Sequence, residues 1–452
     1  MQSPPTLSAG QVINRIRRYF SQCGYATFEL PLVEPASLFL IKAGDRIFQS
    51  LFTFESNNQV YALRPEFTAQ ALEQFVLQGK PSAIARWQFE GQNFRRDVHK
   101  PVAQQSEIGL ELLGIAGSSA DAEVIGTAIN ALGQAGVQDL QIALGNIDLL
   151  RQVIRLTFND SRIEQFLLSN LDALQDQERG VNYVLDLYDR ISFPAAWSDL
   201  YTDAQVPDRL VNDLIHKGNA THIGTRTPDE IAARIEYKMQ RAAKRPEIES
   251  VLKYLEALSA ISDKPSEAFP HIKAILNNQM DEAIRMAIEN WEKTVRLLES
   301  FEVDVEQMIR ISPTLTRSWD YYTGIVFDIY HEPTKTHLGG GGRYDDLARL
   351  MGAPADLPAI GLVLYSDQID SVVSAPDSDD DAIGLQFTEE GAAIAFQWAT
   401  RLRKKGISVH LNHGSPPIMR LTVNVDGSLG YDGTNYSLAE FDSLTAALFK
   451  KA

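Results

Sequence analysis

Apolar residues recur at a helical period near the start of the chain. Val12, Ile13, Ile16, Tyr19 and Phe20 make one stripe, with Ser8 placed to cap the helix and Gly24 to close it. Extended character follows around Phe28–Val33 and Leu51–Phe54. Asn57-Asn58 is a turn signal, and Val60–Leu63 reads as the returning arm of a hairpin. A helix is predicted over about Pro65–Leu77, strands at Ile84–Phe89 and Ser106–Leu113, and a helix over about Asp121–Ala135. Together these describe an antiparallel α+β unit. From about Ile147 to Phe301 the pattern is almost wholly helical. Its clearest piece repeats Ile284, Ile288, Trp291, Val295 and Leu298, which reads as a buried stripe.

Strand character returns at Tyr321–Tyr330, where Ile325, Phe327 and Ile329 alternate with Val326, Asp328 and Tyr330. The run Gly339–Gly342 implies close backbone approach or a tight turn, and a helix is predicted to begin near Tyr344. Ser374–Asp381 is small, acidic and proline-containing, as a solvated linker would be. Beyond it lies a small α/β pattern: strand Ala382–Phe387, helix Gly391–Lys405, strands Ile407–Leu411 and Arg420–Val425, and a helix from about Ser437.

The 452 residues suggest about three domains. A net charge of −17 argues against bulk binding to nucleic acid or anionic membrane. The single cysteine, Cys23, rules out an intramolecular disulfide and any multi-cysteine metal site; among Phe20, Tyr25 and Phe28 it reads as a small packed residue. No leader pattern and no apolar run of about 18 residues stands out, so a cytoplasmic location without a membrane span is expected. Eight scattered histidines offer no metal-ligand spacing, so no metal and no cofactor is expected.

Four polar stretches carry candidate chemistry. Leu63–Thr68 places Glu66 and Thr68 where a strand hands over to a helix. Phe94–Asp97 brings two guanidiniums, Arg95 and Arg96, suited to bidentate anion binding. Glu107 and Glu111, four apart in a strand, share one face. Arg317–Gly324 combines Arg317 with Tyr321 and Tyr322 at the mouth of a strand. Together they could line one pocket around a cationic ligand the size of an amino acid.

The segments LRPEFTAQ, GQNFRRD, SEIGLELLG, RSWDYYTGIVFDIY, GGGGRYDDL and PAIGLVL resemble, in order and spacing, the class II histidyl-tRNA synthetase family. The resemblance implies an α+β fold: a class II synthetase-like antiparallel sheet core over residues 1–150 and 305–372, a helical insertion over 151–304, and a degenerate anticodon-binding-like α/β domain over 382–452. It also implies a histidine site. Glu66 and Thr68 would meet the amino group, and Glu111 with Glu107 the imidazole. Tyr321, Tyr322 and Tyr344 would complete the pocket, with Arg317 facing the carboxylate and Arg95 matching an arginine that contacts the α-phosphate. At position 107 the synthetases usually carry glutamine.

Other features depart from the synthetase pattern. The segment beyond Arg95, Val98–Gln105, reads as a shortened loop in which Lys100 is the sole basic residue, and Gln368 stands where the family has a triphosphate-clamping arginine. Losing a positioned cation costs on the order of 3 kcal/mol of transition-state stabilisation. From Ser371 to Ala452 there are 7 basic and 10 acidic residues, which does not suit an RNA-binding face. Arg401, Arg403, Lys404 and Lys405 read as the basic end of a helix.

A histidine pocket without ATP clamps resembles a synthetase paralogue, the regulatory subunit of the short-form ATP phosphoribosyltransferase. The implied partners are L-histidine and the short catalytic subunit, with a homodimer through the region around Pro31 and Pro35 inside a hetero-oligomer. No catalytic residue of its own and no tRNA binding are expected. The alternatives are a divergent histidyl-tRNA synthetase and a histidine-binding pseudo-synthetase with another partner.

Overall fold

The computed structural model describes residues 9–40, 50–78, 84–97, 100–176, 178–191, 243–317, 321–373, 383–387, 392–404, 409–411, 419–424, 428–431 and 433–449, with positions 237, 241, 319 and 426. The expected cap at Ser8, the first two residues of the expected loop, Val98 and His99, and the linker Ser374–Asp381 lie outside them. The chain divides into two compact units, residues 9–373 and the segment after Val373. Among the described residues no helix is long and apolar enough to cross a membrane.

The first unit contains strands β1 (Ala26–Thr27), β2 (Val33–Pro35), β3 (Thr53–Ser56), β4 (Gln59–Leu63), β5 (Ala85–Asp97), β6 (Lys100–Leu113), β7 (Leu140–Asn146), β8 (Ile309–Ile311), β9 (Ile325–His331), β10 (Thr336–Arg343) and β11 (Ala359–Tyr365). Its main sheet runs β1-β5-β6-β11-β10-β9-β7-β8. Every pairing from β5 across to β7 is antiparallel, and the two outermost pairings, β1 with β5 and β7 with β8, are parallel. The expected α+β fold with an antiparallel core is thus observed.

The period-2 pattern decides which face is which. Ile108, Leu110 and Leu112 of β6 point into the main core with Ile325, Phe327 and Ile329 of β9. Helices Ala9–Gln22 and Ser118–Gln134 cover that side. The other face carries Arg95, Glu107, Glu111 and Asp328, and it is polar because it is the floor of a cavity. The described helices between Ile147 and Leu298 bury their stripes in the same core as the sheet, and Ile284, Ile288, Trp291, Val295 and Leu298 are all buried; residues 192–236 of the region expected to be helical lie outside those described.

Several expectations need correction. Phe28–Leu32 is not a paired strand; β1 and β2 flank it. The carbonyls of Leu30 and Pro31 accept instead from the Arg64 guanidinium at 2.8 and 3.2 Å. The helix expected from Pro65 begins at Thr68, because the Glu66 carboxylate accepts the backbone N–H of Thr68 at 2.5 Å and of Ala69 at 2.9 Å. The described part of the expected loop Val98–Gln105 is strand: from Lys100 the chain forms β6, pairing Asp97 with Lys100 and Arg95 with Ala103. Pro101 is tolerated there because β11 flanks β6 only from Glu107 onward. Asn57 and Asn58 do form the expected turn, both with positive φ.

The glycine run is a strand rather than a turn, and the following helix starts at Leu347, not Tyr344. The run's purpose is close approach. A Cβ on Gly341 would lie 2.0 Å from the carbonyl oxygen of Gly361, and one on Gly340 would lie 2.1 Å from Nη1 of Arg317.

In the C-terminal unit, β12 (Ile383–Gln386), β13 (Val409–Leu411), β14 (Met419–Val423), β15 (Leu429–Tyr431) and β16 (Thr434–Tyr436) form a sheet in the order β13-β12-β14-β15-β16. Helices Ala392–Lys404 and Phe441–Phe449 contribute Trp398 and Leu444 to its core. The hairpin β15–β16 was not legible in the sequence.

Gly341→Ala is expected to cost about 2 kcal/mol or more, because the new methyl meets backbone rather than a movable side chain. Urea unfolding measures this, and a change within about 0.5 kcal/mol would refute the close-approach account.

Candidate functional site

Four neighbouring strands build the cavity floor. Register places Glu107 opposite Tyr365, Glu111 opposite Gly361, and Gly340 opposite both Val363 and Asp328. Arg95 lies farther along β5, next to Glu107 through its side chain. The walls come from the entry to helix Thr68–Leu77 and from the segment before β9. The result is a cavity of about 260 Å³ whose lining includes Glu66, Thr68, Arg95, Glu107, Arg317, Tyr321, Tyr322 and Tyr344. It lies at the small end of ligand sites, which run from about 300 to 1,000 Å³.

One end is acidic and aromatic. Glu66 is buried and has its carboxylate against the helix N-terminus. Burial pushes it up to about 7, against the two backbone N–H groups that favour its charged form. Tyr321 packs at 5.6 Å on Tyr344 and at 4.8 Å on Tyr322, measured between ring centroids. Tyr344 is fixed by its neighbours: its N–H donates to Ala359, and Asp345 beside it accepts from the N–H of Ala359. Arg343 ties the same segment to Asp121 at 2.8 Å.

Glu111 lies deeper than expected. It is fully buried and behind the cavity wall, and both oxygens are taken: the Thr68 hydroxyl donates to one at 2.7 Å and the Tyr344 hydroxyl donates to the other. Burial pushes it up to about 8, while the two hydroxyls pull the other way. A ligand would meet Thr68 and Tyr344 first, with Glu111 orienting them. Gly361 makes this possible, since a Cβ there would lie 1.7 Å from a Glu111 oxygen.

The other end holds two ion pairs whose carboxylates are buried. Arg95 Nη2 donates to Glu107 at 2.5 Å, and the second Glu107 oxygen accepts from the Asn93 amide. Burial raises the Glu107 carboxyl, with Arg95 the strongest influence against it. Arg317 pairs with Asp328 and also donates to the Phe327 carbonyl at 3.2 Å. The His337 ring nitrogen lies 2.9 Å from the same Asp328 oxygen, with Tyr330 stacked on the ring.

The structure therefore brings together eight of the nine sequence-derived residues as lining and sets Glu111 behind them. Sequence reasoning missed Asp328, His337 and Tyr365, which also line the cavity. A carboxylate inside the otherwise apolar run Ile325–Tyr330 was the available signal for the first. Gln368 is not part of the lining, and among the described residues no group of three or more His, Cys, Asp or Glu could hold a metal.

Glu66 and Glu111 have folded pKa values near 7 and 8, against about 4.3 in an unfolded chain. The folded state therefore binds more protons between these limits. The stability this contributes is complete below about pH 4.3 and is lost as pH rises through 7 to 8, at about 1.4 kcal/mol per pH unit for each group. Urea unfolding of the ligand-free protein from pH 5 to 8 is expected to show this fall, and Glu111→Gln to flatten it. Identical slopes would exclude Glu111 as a contributor.

A family model described as histidyl-tRNA synthetase matches residues 4–189 and 237–369. The ATP phosphoribosyltransferase regulatory subunit of Agrobacterium fabrum is 30% identical over 356 residues, covering 76% of this chain and 91% of that protein. The histidine–tRNA ligase of Sulfolobus acidocaldarius is 26% identical over 430 residues, covering 91% of this chain and 85% of its own. The solved histidyl-tRNA synthetase of Nostoc sp. PCC 7120 shares the fold with a TM-score of 0.65 at 14% identity, covering 99% of this chain and 98% of that one. A solved ATP phosphoribosyltransferase regulatory subunit/histidyl-tRNA synthetase from Bacillus halodurans C does so at 0.61 and 18%, covering 93% and 97%.

Proposed function

The chain belongs to the histidyl-tRNA synthetase family, and on that premise we propose that it is a histidine-binding regulatory subunit of ATP phosphoribosyltransferase with no catalysis of its own. The observation that carries the reading is the split character of the cavity. An amino-acid-sized space has an acidic, tyrosine-lined end, while the arginine that would meet an ATP phosphate is already ion-paired with Glu107. In this reading Glu66 and Thr68 receive the α-ammonium group, Tyr321, Tyr322 and Tyr344 enclose the imidazole, and Arg317 faces the carboxylate. Histidine then biases a two-state assembly with the short catalytic subunit, activating it and conferring feedback. Residues 1–150 and 305–372 are the synthetase-like core, 151–304 the insertion, and 382–452 a degenerate anticodon-binding-like domain.

Self-association through the region around Pro31 and Pro35 belongs to the same proposal. Val33 and Phe54 are exposed on one face of the sheet β2-β4-β3, where register sets them beside Tyr61 and Leu63 of β4, with Leu32 exposed next to them, an apolar surface that a second copy would cover. Val33→Glu with Phe54→Glu is expected to convert the dimer to a monomer in sedimentation velocity; an unchanged dimer would place the interface elsewhere.

A second reading, a divergent histidyl-tRNA synthetase, is favoured by the long match to the Sulfolobus ligase and by the presence of Arg317. One pair of measurements separates the two. Under the regulatory reading, millimolar histidine raises the melting temperature, Tyr321→Phe weakens that shift, and histidine-dependent ATP–pyrophosphate exchange is at background. Clear exchange would transfer the protein to the synthetase reading, and no histidine shift would remove the sensor reading.

A further inference from the structure

We infer that Glu107 sets the ligand class of the cavity: it is an internal counter-ion that neutralises Arg95 and bars phosphate-bearing ligands from the basic end. The inference deepens the histidine reading and names what the site excludes. Glu107 is 1% exposed and has no free oxygen, with Arg95 on one and the Asn93 amide on the other. Asn93 is itself locked, because its carbonyl oxygen accepts from Nε of Arg64 at 3.0 Å. The carboxylate is therefore held against Arg95 from two sides and does not depend on a ligand to place it.

Arg317 is matched in the same way by Asp328. Two guanidiniums and two carboxylates thus form a wall of no net formal charge, with His337 beside Asp328. A zwitterion with one carboxylate can share Arg317 without upsetting this balance. A pyrophosphate group brings several negative charges into a recess where each guanidinium is already neutralised by its own carboxylate, so no uncompensated cation offsets its lost hydration. Glutamine is the nearest isostere of Glu107. Its oxygen can still accept from Asn93, while the amide nitrogen cannot accept from Arg95. Glu107→Gln therefore leaves Arg95 charged, uncompensated and facing the cavity beside Arg317.

The test is calorimetric titration of inorganic pyrophosphate into the wild-type protein and into Glu107→Gln, with histidine titrated into both. The wild type is expected to show no saturable pyrophosphate binding at millimolar concentration. Glu107→Gln is expected to bind at least tenfold more tightly, and adding Arg95→Gln to abolish the gain. A Glu107→Gln protein that still binds histidine but takes pyrophosphate no better than wild type would overturn the inference. So would wild-type protein in which low-millimolar pyrophosphate displaces histidine, a result that does not depend on the variant folding. Failure of the histidine reading is separately visible as absent histidine binding by the wild type.

Discussion

Everything in the cavity depends on strands being able to lie closer to side chains than strands normally do. The glycines of β10 and Gly361 of β11 form a floor without Cβ atoms. Glu111 can tuck under this floor and Arg317 can lie across it. Side chains elsewhere on the same strands, such as Leu362 and Leu364, continue into the apolar core. A single sheet thereby supports a dry core on one face and a charged recess on the other. The cost is tolerance: the floor admits no added methyl group where backbone faces backbone.

On that floor the charges are arranged in pairs rather than displayed. Glu111 is committed to two hydroxyls, Glu107 to Arg95 and an amide, and Asp328 to Arg317 and His337. Buried charge is tolerable when its partners are fixed, and these partners are fixed by strand register and by further hydrogen bonds, Asn93 to Arg64 and Arg317 to the Phe327 carbonyl. Glu66 differs, since its formal partners are N–H groups of a helix end, so it is the carboxylate with the most to gain from an arriving cation.

Much of this was legible in the chain. The alternation along Ile325–Tyr330 gave the two faces of β9, and the four-residue spacing of Glu107 and Glu111 put both on one face of β6. The polar stretches that stood out were those that line the cavity. Depth was not legible: spacing places Glu111 on the correct face but does not say that Thr68 and Tyr344 lie over it. Nor did the pattern reveal that Val98–Gln105 continues a hairpin, because Pro101 and paired glutamines read as irregular until the flanking strand is seen to stop short. The start of the helix at Thr68 was hidden for a related reason. Its cap is a side chain two residues upstream, acting from a position that itself reads as helical.

Arg64 gives the architecture a single pivot. Its guanidinium donates to the carbonyls of Leu30 and Pro31, to Gln92 and to Asn93, and stacks 4.1 Å above Phe67. These groups come from three stretches of chain separated by about thirty residues, and none supplies enough acceptors to satisfy a buried cation alone. The segment before β2, the entry to the first cavity helix and the long β5–β6 hairpin are therefore tied to one another through a single buried side chain, and none of them can shift without leaving that cation short of acceptors.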